Sequence, residues 1–223
     1  MKITWLGQAG LLFETGETTI LVDPYLSNSV EKVNSANYRR IPVEERFLSV
    51  KPDVLICTHD HLDHLDPETL PHYLRRGGVC VLCPANAWEK ARTFGGDNNY
   101  VLFNRRTEWT HGNVLFRAVR AEHSDSTAIG VIIEAEDKVY YTTGDTLYNT
   151  DIFDDLPDKI DVLFLPINGV GNNMNVTDAA RFAARTGAQR VIPLHFGMFD
   201  TIDPKSFLCP QVCIPSIYRE IPL

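Results

Sequence analysis

The sequence lacks any run of lysine and arginine: 21 basic residues are scattered among 29 acidic ones, for a formal net charge of -8. A nucleic-acid groove gains affinity by neutralising phosphates with clustered cations, so this balance argues against one. An anionic small substrate stays compatible with it, because a metal site carries its own local field. Also missing is any segment near the ~20 consecutive apolar residues of a membrane span. The apolar start, Met1 to Phe13, carries one lysine as a signal peptide would. Thr4, Gln8 and Glu14 interrupt it and no small-residue cleavage pattern follows, so it reads as two short strands around Gly7 and Gly10. Cysteine is odd in number, five residues in a chain large enough for a real core. That predicts a reducing compartment and a cytoplasmic protein. What is present, 223 residues with 44% hydrophobic and 22% charged, suits a single globular domain over 1–223. Its two packed αβ halves are expected at roughly 1–105 and 106–223.

The reading is organised by Thr58-His59-Asp60-His61-Leu62-Asp63-His64. His59, His61, Asp63 and His64 can all hold a divalent metal and lie within six positions. Imidazolium groups this close repel one another unless something divalent gathers them. The apolar run Asp53-Val54-Leu55-Ile56-Cys57 has the length and β-branched content of a buried strand, so the cluster sits where a strand ends. If the cluster is extended, His59, His61 and Asp63 leave on one face. Asp63 could also begin a helix that Pro67 and Glu68 help to start.

Lys2–Leu6, Leu11–Glu14 and Thr18–Val22 read as short antiparallel strands punctuated by glycines, the third ended by Asp23-Pro24. Residues 27–50 are polar and without firm periodicity, either a flap over a site or a plain surface excursion. After the cluster, Pro67–Arg76 predicts a helix stopped by Gly77-Gly78, Val79–Leu82 a strand, and Pro84–Thr93 a second helix. Phe94 to Asn104 crosses back through a Gly-Gly turn. Asn113–Ala121, Ile129–Glu134 and Lys138–Thr142 read as three consecutive antiparallel strands. The ends of the first and third then share a sheet edge, which brings His123 and Asp145 together. Asp161–Leu165, a helix over Val176–Thr186 and Arg190–Pro193 form a βαβ unit whose second strand ends at His195.

His59, His123, Asp145 and His195 each follow a separate strand, where open α/β sheets place their sites. The candidate ligands are therefore His59, His61, Asp63, His64, His123, Asp145 and His195. His72 and His111 are left over, His111 in an expected hairpin turn where it should be exposed. Gln8 and the loop from Asn168 to Asn175 either line a pocket or simply build turns. Cys80 and Cys83 have redox-motif spacing, but on a strand residues three apart point to opposite faces. A structural zinc site joining them to Cys209 and Cys213 is the less favoured reading.

These residues together resemble the metallo-β-lactamase superfamily: His-x-His-x-Asp-His, a later lone histidine, a Gly-Asp-Thr and a last histidine after an apolar strand. The resemblance spans Lys2 to about Phe207. Within the superfamily the chain is most similar to the L-ascorbate-6-phosphate lactonase branch. That similarity rests on Trp5-Leu6-Gly7-Gln8-Ala9-Gly10, the Thr58–His64 stretch, Tyr141-Thr142-Thr143-Gly144-Asp145-Thr146 and Val191-Ile192-Pro193-Leu194-His195. The resemblance implies an α/β fold, a four-layer αβ/βα sandwich with a dinuclear site at the sheet edge. It implies one ion on His59, His61 and His123, and a second on Asp63, His64 and His195, with Asp145 bridging. Asp23 matches an aspartate that supports a ligand histidine from behind. The lactonase differs in carrying extra N-terminal sequence and need not have histidine at the place of His123, which bears on substrate rather than fold.

Two divalent ions lower the pKa of a shared water towards ~7 and polarise the bond it attacks, so the expected reaction is hydrolysis of a small ester, lactone or phosphoester. A sugar-phosphate lactone such as L-ascorbate 6-phosphate is the substrate that the resemblance implies. Asp63 and Asp145 are the carboxylates at the reacting centre. Nitrogen and oxygen ligands without thiolate permit Zn, Mn or Fe, and activity should fall below about pH 6 as protons compete for the histidines. Two other readings stand beside this one. A di-iron redox protein of the same superfamily typically has an acidic residue where His61 stands and adds a flavin domain that this sequence does not contain. A non-catalytic metal-binding module would usually have lost ligands. The expected partner is a small molecule, with no nucleic acid or membrane, and self-association into a homo-oligomer is open.

Overall fold

The computed structural model describes all 223 residues. Its first six strands form one sheet: β1 (Lys2–Gly7), β2 (Gly10–Glu14), β3 (Thr19–Val22), β4 (Val54–Ile56), β5 (Cys80–Cys83) and β6 (Asn99–Leu102), adjacent in chain order. The next six form another: β7 (Glu108–His111), β8 (Val114–Arg120), β9 (Ile129–Ala135), β10 (Lys138–Thr142), β11 (Val162–Pro166) and β12 (Arg190–Leu194). Both are mixed. Hairpins join β1–β3 and β7–β10, while β3–β6 and β10–β12 run parallel with crossovers between them. This is the four-layer αβ/βα sandwich.

The layering follows from alternation along each strand. Phe13, Ile20, Val22, Val54, Ile56 and Leu82 face the second sheet, where Phe13 meets Tyr140 and Phe164 edge-on at ring separations of 6.1 and 5.7 Å. The residues between them, Leu12, Leu21, Leu55, Cys57 and Val81, face outward and are covered by α2 (Leu70–Leu74) and α3 (Ala85–Ala91). On the other sheet α4 (Val176–Thr186) lays Phe182 against Tyr141, ring centroids 6.3 Å apart. Asn175 caps α4 by accepting from the Thr177 and Asp178 N–H groups, and Gly187 closes it in the left-handed region at φ 65°. Those boundaries match the expected ones.

Four expectations are corrected. The helix over Pro67–Arg76 forms only at Leu70–Leu74, because Asp66 holds Pro67–Thr69 as a turn through the Glu68 N–H and the Thr69 hydroxyl. The crossing segment after Phe94 contains β6, which pairs with β5. His111 is half-buried, not exposed: it ends β7 and pairs with Val114, so the turn is Gly112-Asn113. Residues 58–65 are a tight turn rather than an extended segment, closed by the His64 and Leu65 N–H groups on the His61 carbonyl. The leftover His72 is exposed on α2, as expected.

The 27–50 excursion holds α1 (Ser29–Val33) and a 3-10 turn, Glu45–Ser49. Arg39 pins it by donating to the Tyr25 carbonyl (2.9 Å) and the Tyr218 hydroxyl (2.7 Å). Cys80 belongs to the core between the sheets and Cys83 to the core beneath the helices. Cys209 and Cys213 pack on the second sheet, so the four cysteines do not gather.

Candidate metal centre

All seven candidate ligands converge at one edge of the sandwich. His59, His61, Asp63 and His64 come from the turn after β4, His123 from the segment after β8, Asp145 from the loop after β10 and His195 from the residue after β12. The two sheets are stitched together there by the Ile129 N–H on the Thr58 carbonyl, at 3.0 Å. Ligand atoms lie within 4.8 Å of one another in three groups: His59, His61 and His123; His59, His64 and Asp145; Asp63, His64 and His195. Gln8, Asp23 and His195 all hold positive φ (47°, 45° and 60°), a conformation non-glycine residues seldom adopt and one that clusters at functional sites.

Whether these residues suit metal ions can be judged from their nitrogens. The Nε2 atoms of His59, His64, His123 and His195 and the Oδ1 of Asp145 are buried and have no hydrogen-bond partner. Leaving such atoms unsatisfied costs about 1–3 kcal/mol each; bound cations would remove that cost by taking the lone pairs, and without them protons on His64 and His195 face Asp145 instead. The opposite ring nitrogens are held from behind. His64 Nδ1 donates to Asp23 Oδ2 (2.8 Å). The Thr58 hydroxyl donates to the same oxygen (2.7 Å) and is therefore free to accept from His59 Nδ1 (3.2 Å). Asn168 meets His195 Nδ1 with its side-chain amide at 3.0 Å, and Gln8 lies 3.2 Å from the same nitrogen. Both amides present their nitrogens to the ring; turning the Asn168 amide over would set its unpartnered Oδ1 there instead, to accept the ring proton and leave Nε2 bare. His123 is the exception: the Asp125 N–H donates to its Nδ1 at 3.0 Å, which leaves the ring proton on Nε2. The fit is thus complete around His64 and Asp145, needs the Asn168 amide turned at His195, and is looser at His123.

Charge at the centre is strongly coupled. Burial opposes charging of His195, yet Asp145 and Asp63 outweigh it and push its pKa up to about 10. His64 is raised in the same contest by Asp145, Asp23 and Asp63. Burial alone would raise Asp63 and Asp145, but His64 and His195 hold both well below the usual carboxylate range. His59 and His123 go the other way, lowered chiefly by burial, and are neutral. Asp145 Oδ1 lies 3.3 Å from both His64 Nε2 and His195 Nε2, the place of a bridging atom, while Asn173 donates to its Oδ2 at 2.9 Å. Gln8 donates to Asp63 Oδ2 at 3.1 Å.

Asp23 therefore supports His64, and Gln8 and Asn168 support His195. Asn168 also borders a cleft of about 410 Å³ over the centre, within the ~300–1,000 Å³ usual for small-molecule sites. Sequence reasoning missed the roles of Thr58, Asp125 and Asn173, although Thr58 lies in the organising stretch and Asn173 in the flagged loop. Val30 and Asn37, from the 27–50 segment read as either a flap or a surface excursion, line the cleft as well, while nothing in the sequence pointed to Phe199 and Asp200, which also line it.

The sequence profile described as "Beta-lactamase superfamily domain" matches residues 18–196. A "UPF0173 metal-dependent hydrolase" of Geobacillus thermodenitrificans is 32% identical, over 93% of this chain and 92% of its own. The metallo-β-lactamase fold protein YhfI of Bacillus subtilis superimposes with a TM-score of 0.73 at 20% identity, covering 98% of each chain. CmlA, a di-iron β-hydroxylase of Streptomyces venezuelae, shares the fold with a TM-score of 0.73 at 17% identity, over 100% of this chain and 54% of its own.

Proposed function

The chain belongs to the β-lactamase superfamily, and from that premise we propose that its seven-residue centre holds two divalent ions and hydrolyses a small ester, lactone or phosphoester. It is a metal-dependent hydrolase. The ligand division we favour puts one ion on His59, His61 and His123 and the other on Asp63, His64 and His195, with Asp145 between them. The observation that carries this reading is the gathering of buried, unpartnered ligand atoms, the Nε2 of His59, His64 and His195 and the Oδ1 of Asp145, turned towards one another.

Ions bound there would supply Lewis acidity and bring a water's pKa towards ~7. The chain supplies the rest. Asn173 fixes Asp145, so that its Oδ1 stays between His64 and His195. Gln8 holds Asp63 Oδ2, the oxygen that also faces His195 Nε2 at 3.4 Å, and leaves the other oxygen of this cleft-lining residue to receive the proton that the attacking water loses. Asp23 and Asn168 keep His64 and His195 oriented throughout. The nitrogen and oxygen donor set favours Zn or Mn, with Fe the alternative. No helix is long and apolar enough to cross a membrane, and all five cysteines are free thiols.

The test is metal analysis of freshly purified protein followed by a panel of lactones, carboxylic esters and phosphoesters, run on wild type and His61→Ala. Hydrolysis by the metal-loaded wild type and its loss in the variant is the expected outcome. Tightly bound iron with oxygen consumption and no hydrolysis would instead indicate a redox enzyme. Stoichiometric metal with neither activity would indicate a binding module.

A further inference from the structure

The cleft over the centre has an uneven lining. Val30, from the first turn of α1, Val170, on the loop between β11 and α4, and Phe199 contribute its apolar side. Phe199 is fixed by packing edge-on against Tyr25, ring centroids 5.6 Å apart. Val170 is 63% exposed, an apolar side chain kept at the mouth with little packing of its own to justify it. No lysine or arginine lines the cleft, and the one charged residue beyond the ligands is Asp200, whose Oδ1 accepts from the Gly197 and Ile202 N–H groups at 2.9 Å each. The cations nearest in sequence to the rim are committed elsewhere. Lys32 pairs with Glu68 at 2.6 Å, Arg39 holds Tyr25 and Tyr218, and Arg40, outside the lining, lies over the Tyr38 ring at 4.5 Å and donates to the Met198 carbonyl at 3.5 Å.

A phosphate or carboxylate on a substrate normally meets arginine, lysine or a set of N–H groups. Here such a group, placed away from the reacting carbonyl, would be partly desolvated without a counter-charge and would face Asp200. An alkyl or aryl group in the same place would cover Val30, Val170 and Phe199 and displace water from them. We infer that the cleft selects uncharged esters or lactones whose acyl side carries an apolar group, and discriminates against substrates with a second negative charge. The inference rests on the hydrolase reading above and departs from the phosphorylated lactone that the family resemblance implies.

The matched probes are 4-nitrophenyl hexanoate and the 4-nitrophenyl monoester of adipic acid, which differ in a terminal methyl against a terminal carboxylate. On metal-loaded protein at low salt, kcat/KM should favour the hexanoate by at least about tenfold, chiefly through KM. Val170→Lys should narrow that ratio several-fold by lowering KM for the adipate. A readout independent of turnover is ligand-observed NMR with the unreactive anilides of the two acids: the hexanoic anilide should bind and the adipic anilide should not. If the esters are cleaved with equal or reversed preference, the inference is overturned while the hydrolase reading stands. If neither ester is cleaved but the anilides bind with the expected preference, the hydrolase reading fails and the specificity of the cleft is upheld. Anilides that bind equally, or not at all, overturn the inference by the second route.

Discussion

Replacing Asp23 by asparagine removes one charge from a fully buried position and changes a single atom. Asparagine tolerates the φ of 45° found there, so the backbone need not move. The aspartate accepts three hydrogen bonds: Oδ1 from the Thr58 N–H at 2.8 Å, and Oδ2 from the Thr58 hydroxyl at 2.7 Å and His64 Nδ1 at 2.8 Å. An asparagine that keeps its oxygen on the Thr58 N–H presents an NH₂ group to His64. That forces the ring proton onto Nε2, the atom an ion would use. Turned over, it sets NH₂ against the Thr58 N–H, leaving a buried donor unsatisfied at about 1–3 kcal/mol. The first arrangement spoils the His64 ligand, and the second keeps it only at that cost to the buried Thr58 N–H. Loss of such a supporting partner weakens metal binding by about 10–100-fold, or roughly 1.4–2.7 kcal/mol. Chelator competition on Asp23→Asn should show that loss in the most tightly held ion. Denaturant unfolding of the metal-free variant should show the smaller structural cost, and Asp23→Ala should be worse in both. Wild-type affinity in Asp23→Asn would refute the role given to Asp23 and the assignment of His64 Nε2 as a ligand.

Four further outcomes follow from the same geometry. His195, pushed up to about 10, and His64, also raised, hold their protons at neutral pH in the metal-free protein. Metal addition should therefore release about two protons, read as a buffer-dependent calorimetric enthalpy; no buffer dependence would refute it. Raised pKa values stabilise the folded state fully below the ordinary histidine value of ~6.5, and that stability is lost as pH climbs through the folded pKa. Thermal stability of the metal-free protein should thus decline towards pH 10, while the depressed Asp63 and Asp145 make it decline again in acid. The ion on His59, His61 and His123 should leave first during chelator titration. Its group contains no carboxylate and it must displace the His123 Nε2 proton, whereas Asp63 and Asp145 draw in the other ion. Simultaneous loss of both ions would count against this order. Gly144→Ala puts a Cβ 2.8 Å from the Ile129 carbonyl oxygen and 3.0 Å from Thr58 Cβ, at a φ of 59°. It should cost about 2 kcal/mol or more and weaken metal binding by displacing Asp145, as thermal melts with and without metal would show.

How much of this was legible in the sequence depends on how locally each feature is encoded. Strand alternation and the caps of α4 obey short-range rules, so the sheets, the βαβ unit and the meeting of His123 with Asp145 could be derived from spacing. The turn at 58–65 could not, because the pattern His59, His61, Asp63 fits an extended face as well as a turn closed on the His61 carbonyl. Only the backbone hydrogen bonds distinguish the two. Strand β6, Asn99–Leu102, carries little apolar signal because half of it is exposed at the sheet edge, and edge strands need only one neighbour. The supporting residues were half legible. Asp23, Gln8 and Asn168 stood out as polar residues at strand ends, but their partners His64 and His195 lie 41, 187 and 27 positions away. The cleft wall was legible only as segments, 27–50 and the loop from Asn168 to Asn175, and not as the side chains that matter. A valine at position 170 or a phenylalanine at 199 repeats nothing and caps nothing, and Phe199 is placed by its packing on the distant Tyr25. Ligand-holding chemistry therefore announces itself through rare residue types, whereas specificity is written in common ones whose meaning comes only from what the fold sets beside them. That is why the reaction class follows from seven side chains and the substrate has to be argued from a wall.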